Sequence, residues 1–341
     1  MTCTIVFCLV STVLLFLLTA DAAPRARHGK KGLNFNPKWA PVYHPKIYRG
    51  QGGFYPPRAK GHKFAPTPDY SAVMQRMWDL DRHGMTSASM QLAFQGNTTT
   101  SSTIDHAPDR LFAYVDEDVL LSFTTVTAFL ALTDNYIDQS GIEETETEEE
   151  TEEIDHFLDL VIETDVMKEA HRFLREKSPS TPSMGEPFKN LLKEIWFSLY
   201  PRSKNFSQPF DSSGFEHVFI GDSKAKQRSV GGLHNWIRAY YLEKDGIFDY
   251  TGYIDNITAV PPGRYVAGAR YRAYHNYWKQ PFSSFFFGSS PEFDLASFTL
   301  CLLLEPNRQC RFTLHNERLS IRSLKYGYGT NYVETAYPDV T

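Results

Sequence analysis

The sequence predicts an α+β protein with a helical first lobe and a sheet-rich second lobe. Between about Asp69 and Leu199, apolar residues recur at helical spacing. After Ser212 the texture changes to short β-rich runs, HVFI, SSFFF, TLCLLL, RFTL, RLSIRSL and NYVETAYP, with Gly, Pro and Asn between them. No internal repeat is evident, so repeat architectures are set aside. The 341 residues leave room for one large domain or two modest lobes.

Residues 1–23 read as a signal peptide. Val6 to Ala20 is almost unbroken apolar sequence, Ala20-Asp21-Ala22 offers a small-x-small cleavage pattern, and basic residues from Arg25 to Lys31 follow. The apolar core is short for a membrane span, so no membrane anchor is expected. Residues 24–68 form a basic arm rich in Pro, Gly and aromatics. It reads as a disordered linker or pro-segment, with a weak phosphate-binding tail as the alternative. The net charge of -5 does not point to nucleic acid, so any such claim must rest on a site. Cys3 and Cys8 leave with the leader. Cys301 and Cys310 remain, which predicts one disulfide in an oxidising compartment and excludes zinc-finger and iron–sulfur classes on count. Sequons at Asn97, Asn205 and Asn256 agree with secretion and predict glycosylation.

The folded domain spans residues 69–341. Val73, Met74, Met77 and Trp78 make a helical stripe, a core face rather than a ligand box. Leu111 to Val119 and Phe123 to Leu132 read as further helix. The acidic run Glu143 to Glu153 leads into a helix at Asp155, with Phe157, Leu158 and Val161 on its core face; it lacks the loop spacing of an EF-hand. Ser178 to Pro187 is a loop and Leu191 to Leu199 is helical. Cys301 and Cys310 flank Glu305-Pro306-Asn307, which looks like a turn between two strands. A bridge there would staple a hairpin, worth ~2–3 kcal/mol in the chain-entropy model.

The chemistry concentrates between Gly214 and Asp255. Val218-Phe219-Ile220 reads as a strand with His217 at its edge and Glu216 before it, ending at Gly221-Asp222. Gly231-Gly232 then breaks the chain. Leu233, Trp236, Ile237, Tyr240 and Tyr241 recur at helical spacing, which puts His234 in the first turn of a helix. With Lys279, the two histidines supply a base, an acid and a fixed cation, the set that transesterification at a ribose phosphate needs. Histidine suits both proton steps because its unperturbed pKa is about 6.5. The helix N-terminus would keep His234 neutral, as a base requires. A carboxylate from Glu216 or Asp222 approaching His217 would favour imidazolium there, as an acid requires. Against this stands the plainer reading of hydrogen-bonded core histidines and a surface lysine.

FEHVFIGD, GGLHNWI and YTGYID together resemble the EndoU family, the poly(U)-specific endoribonucleases related to the founding frog enzyme and placental protein 11. The resemblance continues through Lys279, Ser284 to Leu303 and VETAYP, with MWDLD and LTDNYI upstream, and covers about Asp69 to the C-terminus. It implies two lobes with the active site in a groove. It further implies cleavage of single-stranded RNA at uridylates, dependent on Mn²⁺ or on Ca²⁺ in its place, leaving 2′,3′-cyclic phosphate ends. By position it assigns catalysis to His217, His234 and Lys279, and metal binding to Glu216 and Asp222. The family usually has Glu where this chain has Asp222. Thr335 and Tyr337 match a Thr-x-Tyr-Pro pattern shared with the coronaviral endoribonuclease, in which the Tyr stacks on sugar or base; Ser283 or Ser284 matches a serine that helps choose uracil. The expected partner is single-stranded, uridine-containing RNA, and the expected state a secreted monomer. Two alternatives stand beside this: a catalytically weak RNA-binding protein, and a secreted interaction protein on the same fold. A Ser-His-Asp hydrolase is not supported, because Gly288-Ser289-Ser290 lacks the closing Gly of a nucleophile elbow.

Overall fold

The helix Pro291–Leu304 is buried on every side, and helices of the first half and strands of the second pack against it. The computed structural model describes residues 69–205, 207–327 and 329–340. The signal-peptide and basic-arm readings lie outside the described residues. The described residues fall within one unit, Phe64–Thr341.

Helix α1 (Ser71–Leu80) buries Val73, Met74, Met77 and Trp78, as its stripe predicts. Strands β1 (Met90–Leu92) and β2 (Phe112–Val115) form an antiparallel hairpin. Helices α2 (Glu117–Leu121), α3 (Thr124–Ala131), α4 (Glu148–Ile162), α5 (Asp165–Lys177) and α6 (Glu186–Phe197) complete the first lobe. The single helix expected over Leu111 to Val119 is instead strand then helix. The Glu243 carboxylate takes the backbone N–H groups of Leu111 and Phe112, and Asp116 caps α2 by accepting from Val119. Helix α4 starts seven residues before the expected Asp155. Thr147 and Glu150 form a capping box, and Glu148, Glu149 and Glu150 face the positive end of the helix dipole.

The second lobe holds two sheets. One runs β3 (Asp222–Lys224), β4 (Ser229–Gly231), β7 (Tyr277–Lys279), β6 (Arg264–Ala273), β5 (Asp249–Val260), with β8 (Ser283–Phe287) also on β6. Beyond Ala269, β6 leaves β8 and pairs with β7, so Lys279 and Ser283 emerge along one edge. The other sheet runs β11 (Val333–Asp339), β10 (Glu317–Lys325), β9 (Gln309–Leu314), all antiparallel. Helix α7 (Trp236–Lys244) lies against β8. The expected two-lobe α+β organisation is what the fold has, with two corrections to the β-rich runs. HVFI is a buried π-helical turn, Glu216–Ile220, and TLCLLL belongs to α8 (Pro291–Leu304). An unbroken apolar run carries no period, and burial on all sides suits either state. For α8 the local signals were present: Ser290 caps by accepting from Phe293, Pro291 opens the helix, and Glu292 and Asp294 sit in its first turn. Cys301 and Cys310 are joined, yet the bridge ties the end of α8 to β9 rather than stapling a hairpin.

Helix α6 meets α8 through one buried polar contact, Trp196 Nε1 donating to Thr299 Oγ1 at 2.8 Å, while that hydroxyl donates to Leu295 O. Thr299→Val keeps the shape and orphans the indole N–H, so it should cost about 1–3 kcal/mol in denaturant unfolding, and Thr299→Ser clearly less. Equal stability of the two variants would remove this contact from the account of lobe packing.

Candidate active site

The site is built on the backbone of Gly231-Gly232. A Cβ on Gly231 would stand 2.1 Å from Asp222 Oδ1, and one on Gly232 1.5 Å from the His217 carbonyl oxygen. Gly232 also has φ +54. The pair lets the chain pass directly under the π-helical turn. Leu233 N then donates to His217 O at 3.0 Å and His234 N to Val218 O at 2.7 Å, which brings the two histidines together. The Gly232 carbonyl accepts from Lys279 Nζ at 2.6 Å and from Ser283 Oγ at 3.3 Å. His217, His234 and Lys279 are thus gathered around one short strand of backbone, each 5% exposed.

His234 lies one residue before Asn235, the N-cap of α7, and not in the first helical turn. Asn235 Oδ1 accepts from Arg238 N, and its amide donates to Asp294 Oδ2. The His234 ring is held by three contacts: Nδ1 lies 3.1 Å from Ser284 O and 3.0 Å from Ser283 Oγ, and Tyr337 stacks on the ring at 4.9 Å and 18°. A carbonyl only accepts, so Nδ1 carries the proton and Nε2 keeps its lone pair. The same logic holds at His217, whose Nδ1 is 2.8 Å from Asp222 Oδ2. Both imidazoles therefore present an unprotonated Nε2.

Charge follows from burial. Burial pulls His217 down to about 3, and the Arg202 cation adds to this while Asp222 opposes it. Burial likewise pulls His234 well below the ordinary histidine range, helped by Lys279. Lys279 is lowered to about 7, again by burial first, against the pull of Asp222. Burial alone would raise Asp222, but His217 and Arg202 hold it below the usual carboxylate range. The expected carboxylate does approach His217, yet in the chain alone burial outweighs it and the imidazole is neutral. Burial and the neighbouring cation keep His234 neutral, from a position one residue before the N-cap of α7.

Glu216 bonds to the backbone before it rather than to His217. Its Oε2 accepts from Ser213 N at 3.2 Å, and burial, with Glu144 and Asp222 nearby, pushes it well above the carboxylate range. Glu216 Oε1 and Asp222 Oδ1 are buried without a partner. Even so, no group of three His, Cys, Asp or Glu side chains able to hold a metal is present among the described residues. The two carboxylates do not by themselves fit a resident ion. Of the two serines, Ser283 touches His234, while the Ser284 hydroxyl donates to Pro338 O. Thr335 and Tyr337 lie on one face of β11, with Tyr337 on the imidazole.

Arg202 was not legible in the sequence. It donates to Glu334 O at 2.7 Å and Tyr200 Oη at 3.0 Å, so it anchors the start of β11, and its charge bears on His217, Asp222 and Lys279. Nothing in PRSKN announces this.

The family model described as Endoribonuclease XendoU matches residues 69–338. The chain belongs to this family. A zebrafish (Danio rerio) uridylate-specific endoribonuclease C is 35% identical over 277 residues, covering 79% of this chain and 87% of that protein. A Xenopus laevis poly(U)-specific endoribonuclease-A is 36% identical over 281 residues, covering 79% and 93%. The solved structure of XendoU, described as a splicing independent snoRNA processing endoribonuclease, superposes with a TM-score of 0.64 at 35% identity. It covers 78% of this chain and 94% of that one. The α+β fold, read first from sequence texture, is thus that of a XendoU endoribonuclease.

Both histidines bind protons more readily in the unfolded chain, near pH 6.5. For His217 the unfolded state holds the extra proton between there and about pH 3, and for His234 from there to well below it, so stability is present above pH ~6.5 and lost as the pH falls. The loss is up to ~1.4 kcal/mol per pH unit for each histidine. His234→Asn should flatten the fall in unfolding free energy between pH 6 and 4 by up to one such slope; an unchanged slope would mean that His234 is already charged in the fold.

Proposed function

We propose that the chain is a secreted endoribonuclease that cuts single-stranded RNA at uridylates by attack of the ribose 2′-OH. The observation that carries this reading is the meeting of two imidazoles, each held through Nδ1, and the Lys279 amine around the Gly232 backbone. His234 Nε2 takes the 2′-OH proton as the O2′–P bond forms. The P–O5′ bond breaks, and O5′ takes a proton from His217 Nε2, which has gained that proton from solvent as the phosphodiester anion bound. The products are a 2′,3′-cyclic phosphate and a free 5′-hydroxyl. Asp222 makes His217 the easier of the two to charge, and the arriving phosphodiester anion raises both imidazoles and Lys279. The Lys279 ammonium lies beside the charge developing on the phosphoryl oxygens, where exclusion of water strengthens its effect. Each proton transfer of this kind is worth about 10²–10⁴-fold.

Tyr337, already stacked on His234, offers the edge of a platform for a sugar or base, and Ser283 offers the hydroxyl nearest the imidazole for reading uracil. A divalent ion, Mn²⁺ or Ca²⁺, enters the proposal only as added neutralisation of RNA phosphate; no step above passes through it. Secretion and glycosylation rest on the leader and on the exposure of Asn97, Asn205 and Asn256. No helix among the described residues is long and apolar enough to cross a membrane. We further propose that the chain acts as a monomer.

The reading is tested with a short fluorescent RNA carrying one uridine, beside the same strand with 2′-deoxyuridine, in Mn²⁺ and in EDTA. Cutting of the ribo strand alone, lost in His234→Ala, is the expected result, with slower cutting in EDTA. Binding of both strands with neither cut would instead make the chain an RNA-binding module. The two histidines separate in the pH–rate profile. Replacing His234 should remove the lower pKa and replacing His217 the upper one, and the reverse pattern would exchange base and acid.

A further inference from the structure

The β9–β10–β11 sheet has a second face, turned away from the core. Along β9, Cys310, Phe312 and Leu314 point inward, while Gln309, Arg311 and Thr313 point out. Along β10, Leu319, Ile321 and Ser323 are buried, and Arg318, Ser320 and Arg322 face out. Register then fixes the outer neighbours. Arg322 stands opposite Tyr337 on one side and Gln309 on the other, Ser320 opposite Asp339 and Arg311, and Arg318 opposite Thr313. Strands lie about 4.8 Å apart and alternate residues about 6.8 Å apart along a strand, so three arginines step away from Tyr337 within reach of a few nucleotides.

Tyr337 stacks on His234, so this face begins at the catalytic imidazole. It continues into a groove of about 610 Å³ lined by Gln309, Arg311, Arg318 and Ser320, with Asn256 and Thr258 of β5 opposite. The acidic group within it is engaged: Asp339 accepts from Gln309 Nε2 at 2.7 Å and lies 3.5 Å from Arg322. Arg311 donates to Gln309 Oε1, and neither Arg311 nor Arg318 forms an ion pair among the described residues. Both are exposed.

We propose that this outer face binds the RNA flanking the scissile uridine on one side, with phosphates on Arg311 and Arg318 as the strand leaves Tyr337. The proposal rests on the endoribonuclease reading. Continuity with the catalytic ring favours the strand being cut over an unrelated acidic polypeptide. Arginines that contact phosphate add affinity without choosing sequence, and carry a salt dependence.

The test compares the wild-type chain with R311A/R318A on a uridine dinucleotide and on uridine strands extended by ten nucleotides at the 5′ or the 3′ side. The protein is deglycosylated, because Asn256 stands on the groove wall. The wild-type chain should gain kcat/KM from extension on one side only. The double variant should lose that gain, about tenfold or more, through KM, with kcat and dinucleotide cutting unchanged. Its log–log salt slope for binding the uncut 2′-deoxyuridine strand should fall by about 1.4. R311K/R318K should restore most of the affinity. Equal losses on dinucleotide and long strand, or an unchanged salt slope, would overturn the proposal. Should no strand be cut at all, the endoribonuclease reading fails, and the binding slope still decides whether this face holds RNA.

Discussion

Asp222 occupies the space that any side chain at position 231 would need, and the rest of the site depends on that exchange. Because Gly231 gives up its Cβ, the Asp222 carboxylate can lie beneath the π-helical turn and meet His217 at 2.8 Å. Because Gly232 does the same under the His217 carbonyl, the following backbone can bond to the turn and deliver His234 beside it. The family resemblance leads one to expect Glu where this chain has Asp222. Here the shorter carboxylate already reaches the imidazole at 2.8 Å. The departure therefore leaves the pairing of His217 intact.

The cationic groups of the site oppose one another. Arg202, Lys279 and the two imidazoles are mutually near, and burial removes the water that would screen them. The chain resolves this by holding both histidines neutral and lowering Lys279 to about 7. A phosphodiester reverses the balance, since it brings the missing anion into a region of low dielectric. Under the proposed mechanism charging and substrate binding are one event, and the protonated histidine it requires forms where the phosphate sits. Titrations of such a set belong to the group rather than to single residues.

Legibility in the sequence tracked periodicity. The α1 stripe and the alternating strands β9 to β11 have one wet face and one dry face, so their period shows. Helix α8 and the HVFI turn are dry all round, and their apolar runs carried no phase. The start of α4 was hidden for a different reason. Its first turn is made of glutamates, which read as solvated low complexity until Thr147 is recognised as a cap. His217, His234 and Lys279 stood out by type and by resemblance, but their environment did not. That the Ser283 hydroxyl rather than the Ser284 hydroxyl touches His234, and that Arg202 reaches the site from a distant loop, depends on contacts made across long sequence separations.

The overall charge of the chain is a poor guide to what it binds, and the fold explains why. Acidic residues are concentrated where helices use them: the glutamates of α4 lie at its N-terminus, and Glu169 is paired with Arg76 and Arg172. The outer face of β9–β11 carries arginines beyond its acidic neighbours, and its register runs into Tyr337. Tyr337 thus belongs to two structures at once. Its ring is packed against the His234 imidazole, and its strand position makes it the first residue of a basic surface. Arg202 and Tyr200, which hold the backbone at the head of β11, fix both together. A change at that anchor should be felt by the chemistry and by the surface alike, because one strand carries both.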